Sequence, residues 1–434
     1  MGELLMAGFA VEKITPPLGV TMAGYAARKG GATGVHDDLY AHVMILKQGS
    51  QFAVVISLDL EEVPDDLVKA IREHVSADTS IPVEAILVAA THTHSGPLVG
   101  SRLGENADPA VVEGIRKATT IAAVKAAGDL ETVRIKVGSA SVRDVAKNRR
   151  SLEPSPDPEV NFIGFHVDTQ LIGCVVNFPL HATVLGAENR LYTADYPGYL
   201  RRTIQERHPG CCTLFLNGAA GNLNIGYSAD ASALGERFDF RTFESATEVG
   251  KKLGTAVVTG LDAADWVDEP IIEVRHNQVP LPLKSLPSIA ELDGSIAQLT
   301  RKMNELCVAG ASPTEVSEVE IATVYLKCLK DSMLRRGIEG QQELAMPLQA
   351  VRIGPAILLA IPGELFVELG LAVRRSRRDM HVFIVGYANG AWGYLPNRDA
   401  FDQGGYEVQT SIFDENMGEA LVRGASELVS SFAG

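Results

Sequence analysis

No run of about 18 uncharged apolar residues occurs along the chain, so length alone excludes a membrane-spanning helix. Positive charge is also in short supply. Lysine and arginine total 39 against 54 acidic residues, a formal net charge of -15. Such a surface repels the phosphates of nucleic acid and of anionic lipid, and neither is expected as the main partner. The one basic cluster, Arg374, Arg375, Arg377 and Arg378, follows an apolar helical pattern and reads as a stabilised helix C-terminus. Cysteine is scarce: Cys174, Cys211, Cys212, Cys307 and Cys328 show no metal-binding spacing. Reduced, buried thiols in a cytoplasmic protein are expected. The opening residues, Met1-Gly-Glu-Leu-Leu-Met, lack the basic leader and apolar core of a signal peptide, which points to the same compartment. Neither a low-complexity tract nor a convincing internal repeat is visible.

What remains is the composition of a packed globular protein, 46% hydrophobic and 21% charged, in 434 residues. That length accommodates two modest domains or one large α/β domain with insertions. Short apolar runs bounded by turn residues recur at 52–58, 85–90, 162–167, 171–178, 212–216, 357–361 and 382–385, each of strand length and rich in Val and Ile. Helical patterns fall between them: Leu67, Ile71 and Val75 share one face, as do Leu365, Leu369 and Val373. The fold class is therefore α/β with a mixed sheet.

One segment differs in character. From Ile289 to Leu306, and again from Val319 to Met333, apolar residues recur in steps of three and four. Ser288 with Glu291 and Ser312 with Glu315 fit the capping box, Pro313 sits at a first helical position, and Ala309-Gly310-Ala311 supplies a turn. The chain thus reads as a single domain over 1–434, interrupted at 286–337 by an inserted helical hairpin. The hairpin either packs on its own domain, contributes to a homo-oligomer contact, or walls the active site.

The strongest local signal is Thr91-His92-Thr93-His94-Ser95-Gly96-Pro97, directly after the apolar run 85–90. Two histidines two residues apart in an extended chain point the same way, and strand ends leading into loops are where α/β proteins place sites. Such a pair is either a metal site or hydrogen-bonded structure. His181 ends another strand, in Asn177-Phe178-Pro179-Leu180-His181, as a structural residue or as a ligand. Asp195 precedes Tyr196-Pro197-Gly198 as an N-cap, or orients a histidine. In Ile361-Pro362-Gly363-Glu364 a turn leads to a carboxylate expected in the first turn of a helix. Tyr394 and Tyr406 lie beside glycine-rich turns.

Taken together, these segments resemble the neutral/alkaline, non-lysosomal ceramidase family over nearly the whole chain. The match runs from Met22-Ala23-Gly24-Tyr25-Ala26 and Gly34 to Ala41 through Ser57-Leu58-Asp59, Thr91 to Pro97 and Asn148-Arg149. It continues through His181, Gly221-Asn222-Leu223, Pro362-Gly363-Glu364 and the Tyr394/Tyr406 pair. The resemblance implies a mixed-sheet catalytic domain and one zinc ion held by His92, His181, Glu364 and Tyr394. It places His94, Arg149 and Tyr406 as catalytic groups around the substrate, with the missing side chain of Gly24 letting the backbone approach the substrate. Two departures stand out. Asn224 occupies the place of a serine and is expected at the substrate, where its amide closes a covalent serine mechanism. The leader and C-terminal β-sandwich of ceramidases have no counterpart.

The expected reaction is hydrolysis of a C–N amide bond by metal-activated water, its pKa lowered toward about 7. Arg149, His94 and Tyr406 would stabilise the oxyanion and protonate the leaving amine, with Asp59 and Asp195 as outer supports. The substrate is expected to be a small soluble linear or cyclic amide, with no nucleic acid or membrane as partner. An esterase or lactonase with the same zinc site, or a non-catalytic zinc- or ligand-binding protein, are the alternatives.

Overall fold

Three stretches of chain fold with the same strand order. The computed structural model describes residues 3–432. Its first sheet contains β1 (Met6–Lys13), β2 (Tyr40–Gln48), β3 (Gln51–Leu58) and, after helix α1 (Asp65–Thr79), β4 (Ile86–Ala90). The spatial order is β4-β3-β2-β1, with Glu131–Thr132 at the far edge and α2 (Pro109–Gly128) packed alongside. The pairs β1–β2 and β2–β3 are antiparallel, whereas β3–β4 is parallel, as a crossover through α1 requires.

The second sheet repeats this scheme. Strands β5 (Arg134–Ser141), β6 (Glu159–Val167) and β7 (Gln170–Phe178) are joined antiparallel, and β7 pairs in parallel with β8 (Cys212–Asn217) after α3 (Tyr196–Arg207). Helix α4 (Phe243–Ala263) covers it. In the third, β9 (Ile272–Pro282) is followed by two long helices, α5 (Ile289–Ala309) and α6 (Pro313–Arg336), before β10 (Glu343–Ile353) returns to pair with β9 along its whole length. Strand β11 (Ala356–Ala360), the short β12 (Glu364–Leu365) and helix α7 (Val367–Arg375) lead to β13 (His381–Val385), parallel to β11. The strand order is therefore repeated although no repeat shows in the sequence. A sheet needs apolar side chains at its buried positions, and many different residues satisfy that.

Alternation across each strand explains the continuous apolar runs. Val43 and Ile45 face α1 and α2, while Met44 and Leu46 between them join a central cluster. Val176 and Phe178 face α3 and α4, with Val175 turned to the same centre. Ile357 and Leu359 face outward, and Leu358 and Ala360 inward. The three sheets share one inner core, and the helices lie outside. The mixed α/β expectation holds.

The chain ends through β14 (Tyr394–Leu395), α8 (Tyr406–Thr410) and α9 (Met417–Ser431), the last packed on the third sheet. Leu365 lies in β12 instead of the helix expected there, because Glu364 and Leu365 pair in parallel with Tyr394 and Leu395. The basic cluster lies at the end of α7, with Arg374 and Arg375 in its last turn, but its side chains reach other elements. Arg374 pairs with Asp157 at 2.8 Å, and Arg377 donates to the carbonyls of Val429 and Phe432. All five cysteines are unpaired, but Cys307 is exposed near the hairpin tip and Cys328 is half-buried.

Both capping boxes form, at Ser288/Glu291 and Ser312/Glu315. Gly310 and Gly337 close α5 and α6 at φ 69° and 59°, in the left-handed region that glycine adopts without strain. The two helices differ in burial. Among its side chains α5 fully buries Leu292, whereas α6 buries Val319, Thr323, Leu329, Ser332 and Met333. Three polar contacts fasten α6 to the first sheet's loops. Arg335 pairs with Glu62 at 2.7 Å, Arg336 with Asp65 at 2.7 Å, and Asp331 accepts from the Leu103 amide.

Candidate active site

The carboxyl ends of the parallel strand pairs converge. Glu61 follows β3, His92 and His94 follow β4, His181 follows β7, Glu364 follows β11 and Tyr387 follows β13. Repetition of one topology thus delivers a polar residue to the same end of every sheet, where open α/β sheets place ligands. His92 does not continue its strand: its φ is 66°, a left-handed turn that a histidine adopts only when its surroundings hold it there. The turn sets His92 Nε2 3.1 Å from His94 Nε2, so the two rings meet through a kink and not along an extended chain.

Burial strips the histidines of charge. Desolvation pulls His92 and His181 down to about 3, so both imidazoles are neutral. Their tautomers follow from their partners. His92 Nδ1 lies 2.7 Å from the Glu61 carbonyl oxygen, and His181 Nδ1 lies 2.7 Å from that of Ala220 and 3.0 Å from that of Leu223. A carbonyl only accepts, so Nδ1 carries the proton and Nε2 presents a lone pair. These Nε2 atoms face the Glu364 carboxylate, with Oε2 at 3.6 Å from His92 and 3.1 Å from His181. Acceptors turned on one another at such distances leave a space that a cation fits. The ligand atoms of His92, His94 and His181 all lie within 4.8 Å of one another. Neutral imidazoles, a carboxylate and a phenol form a donor set that fits a catalytic divalent ion, and the carbonyls behind the histidines fix their orientation.

Glu364 reaches this point from β12, not from a first helical turn. Its parallel pairing places it opposite Tyr394, so two expected ligands come together through backbone register. Tyr394 thereby stands beside Glu364, and Arg149 lies over its ring. Burial raises the Glu364 carboxyl, while His92 and Arg149 pull the other way. Arg149 is itself buried, with its guanidinium 5.3 Å above the Tyr394 ring, Nη1 3.4 Å from His181 Nε2, and Nε donating to Glu407 at 2.7 Å. Tyr406 packs edge-on against Tyr394, centroids 5.5 Å apart. His94, Arg149, Glu364, Tyr394 and Tyr406 all line one narrow chamber of about 40 Å³.

Gly24 lines the chamber too, with φ 103°. A Cβ there would lie 2.5 Å from the His94 side chain, so the missing side chain makes room for His94 itself. Asn224 is not brought to the chamber. Its amide is fully buried in its own turn, accepting from the Gly226 and Tyr227 amides and donating to the Tyr227 carbonyl at 2.8 Å. Asp59 is likewise committed elsewhere, to Arg201 at 2.7 Å and the Tyr40 amide. Asp195 caps α3 and accepts from the Leu185 amide. Both carboxylates hold the scaffold.

Three residues at the site carry no role that the sequence indicates. Glu61 lines the chamber and forms an ion pair with Arg102. Tyr387 stacks on His92, centroids 3.9 Å apart. Glu407 holds Arg149 and Arg150 together. Glu61 stands three residues past a strand whose parallel neighbour ends at the histidines, a signal that strand pairing would have exposed. Buried side-chain atoms without a partner gather here: Glu61 Oε2, His94 Nδ1 and Arg149 Nη2 all belong to the chamber. Native cores seldom leave such atoms idle, and their concentration marks a place built for a ligand.

Comparison with known proteins places the chain among ceramidase-like sequences and folds. A model of the family described as neutral/alkaline non-lysosomal ceramidase, N-terminal, matches residues 6–210. The neutral ceramidase of Pseudomonas aeruginosa is 24% identical over 455 aligned positions, covering 91% of this chain and 67% of that protein. That of Mycobacterium tuberculosis is 21% identical, covering 94% and 74%. The solved neutral ceramidase structure from Pseudomonas aeruginosa superposes with a TM-score of 0.75 at 20% identity, over 98% of this chain and 74% of the other, and so shares the fold.

Proposed function

Because the chain belongs to the neutral/alkaline non-lysosomal ceramidase family, we propose that it hydrolyses the amide bond of a ceramide-type N-acyl lipid at a zinc ion held by His92, His181, Glu364 and Tyr394. The small soluble amide expected from the sequence gives way to a lipid amide, since both curated relatives are named neutral ceramidases. The single observation that carries the metal reading is the 3.1 Å approach of the His181 Nε2 lone pair to the Glu364 carboxylate.

When bound, the ion supplies Lewis acidity and a water acidified toward neutral pH. The protein's own groups divide the remaining work. Arg149, fixed by Glu407 through Nε, keeps Nη2 free to donate to the carbonyl oxygen as negative charge develops on it. His94, neutral and with Nδ1 uncommitted, would first take a proton from the attacking water and then pass it to the leaving nitrogen. The Tyr406 hydroxyl lies beside the same space and orients the amide. Asn224, locked in its turn, takes no part in the attack.

Release of fatty acid from N-acylsphingosine in detergent tests the reading. Zinc-loaded protein is expected to turn over, and His181→Ala and chelated protein are expected to fall by at least about 10²-fold. Equal turnover with and without the ion would overturn it.

A further inference from the structure

The chamber is too small for a whole lipid amide and opens into a second space. A groove of about 370 Å³ continues outward from it, sharing Gly24, Tyr25, Ala26, Arg102, Leu103 and Val324 with the chamber wall. One side is the 21–30 loop and the other is α6, which contributes Glu320, Thr323, Val324 and Lys327.

In a chain of net charge -15, this lining is cationic. Arg28, Lys29, Arg102 and Lys327 line it, against Glu105 and Glu320. The two carboxylates are exposed at the rim, whereas Arg28 is only 9% exposed and Lys327 is half-buried. Arg102 already pairs with Glu61. Arg28 has no such partner: Nη1 and Nε donate to the carbonyls of Ala23 and Asn189, its plane lies 4.8 Å from the Tyr25 ring, and Nη2 is buried with nothing to bond. No carboxylate among the described residues forms an ion pair with Arg28, Lys29 or Lys327. Glu61 and Glu188 attract Arg28 only from beyond ion-pair distance, and a buried guanidinium without a bonded counter-charge is costly unless something else supplies one. Backbone carbonyls hold its position, and a planar fork of donors suits a carboxylate or phosphate.

Resting on the amide-hydrolase reading, we infer that this groove recognises an anionic group on the substrate, so that the preferred lipid amide carries a carboxylate or phosphate and Arg28, Lys29 and Lys327 set that preference. The acyl and amine portions then meet the polar chamber at the amide, and the acidic group is held outside it under α6.

Paired substrates test the inference. N-hexanoylsphingosine is compared with its 1-phosphate, and an N-hexanoyl amino acid with its methyl ester. In each pair the anionic member is expected to show a kcat/KM about tenfold higher or more, carried mainly by KM. That ratio should shrink with added salt and collapse in Lys29→Ala/Lys327→Ala protein, which alters surface positions and avoids refolding around a vacated Arg28. Advantage in the phosphate pair alone, or in the carboxylate pair alone, identifies which acid is read. Calorimetric binding of sphingosine 1-phosphate against sphingosine reads the groove without turnover. Selective binding lost in the double variant, with no amide cleaved, supports the groove and defeats the hydrolase reading. Cleavage of neutral and anionic members at equal kcat/KM, unaffected by the double substitution, overturns the inference and leaves the hydrolase reading intact.

Discussion

His181 Nε2 and Glu364 Oε2 stand 3.1 Å apart, and the histidine has no proton to share there, because Nδ1 is already committed to the carbonyls of Ala220 and Leu223. Arg149 Nη1 at 3.4 Å from His181 Nε2 and the Tyr387 hydroxyl at 3.5 Å from Glu364 Oε2 reach the two atoms singly, whereas a bound cation would engage both at once. The first prediction follows directly. Elemental analysis of wild type should find one zinc per chain, and His92→Ala and His181→Ala should retain little. His94→Ala should keep its metal while kcat falls by about 10²-fold, as for loss of an acid–base group. Loss of metal in that variant would make His94 a ligand.

Gly24→Ala should inactivate the protein without unfolding it. The added Cβ meets the His94 ring at 2.5 Å in a backbone conformation, φ 103°, that alanine resists. The clash and strain cost about 1–3 kcal/mol, and His94 is the group that must move. A normal kcat in a stable variant would contradict the assigned role of the glycine.

Glu407 couples the site to acid stability. Burial pushes its carboxyl upward, but Arg149 and Arg150 outweigh that and hold it below the ordinary 4.5. A depressed carboxyl stabilises the fold above its unfolded value, and that contribution disappears as pH falls through the folded value. The stability gap between wild type and Glu407→Gln should therefore be widest above pH 4.5 and narrow under acid, as followed by urea denaturation at several pH values. A gap that stays constant with pH would exclude this linkage.

Met333 tests whether the hairpin is part of the folded core. It is 1% exposed and packs with Leu329 and Leu292 in the cluster beneath α9. Met333→Ala should cost about 2–5 kcal/mol in denaturant unfolding, as for other buried truncations. A negligible change would mean that α5 and α6 ride loosely on the third sheet.

Asp59→Ala separates scaffold from site. Its carboxylate is fully buried against Arg201, and removing it strands that guanidinium at a cost of about 3–5 kcal/mol. Zinc content of the folded fraction should be unchanged. A variant that is stable but metal-poor would instead place Asp59 behind the ligands.

Much of this was legible from local sequence, for a definable reason. Capping boxes, αL glycines and continuous apolar runs depend on residues within a few positions of one another, so both hairpin helices and the fully buried strands could be read directly, whereas strands with polar residues interleaved, such as β9 and β10, could not. THTHSGP, His181 and Pro-Gly-Glu could be singled out because each stands where a strand gives way to a loop. Their function together was not local. His92 needed a left-handed kink, Glu364 needed the β12–β14 pairing with Tyr394, and Glu61 needed β3 and β4 to run in parallel. Asn224 looked like a substrate contact, yet its amide satisfies its own turn, and Asp59 belongs to Arg201. Sequence determined which residues were available and which segments became strands and helices, since these follow from propensity and periodicity. Tertiary structure alone decided which lone pairs face one another, because that depends on how three separately folded sheets pack about a shared apolar centre.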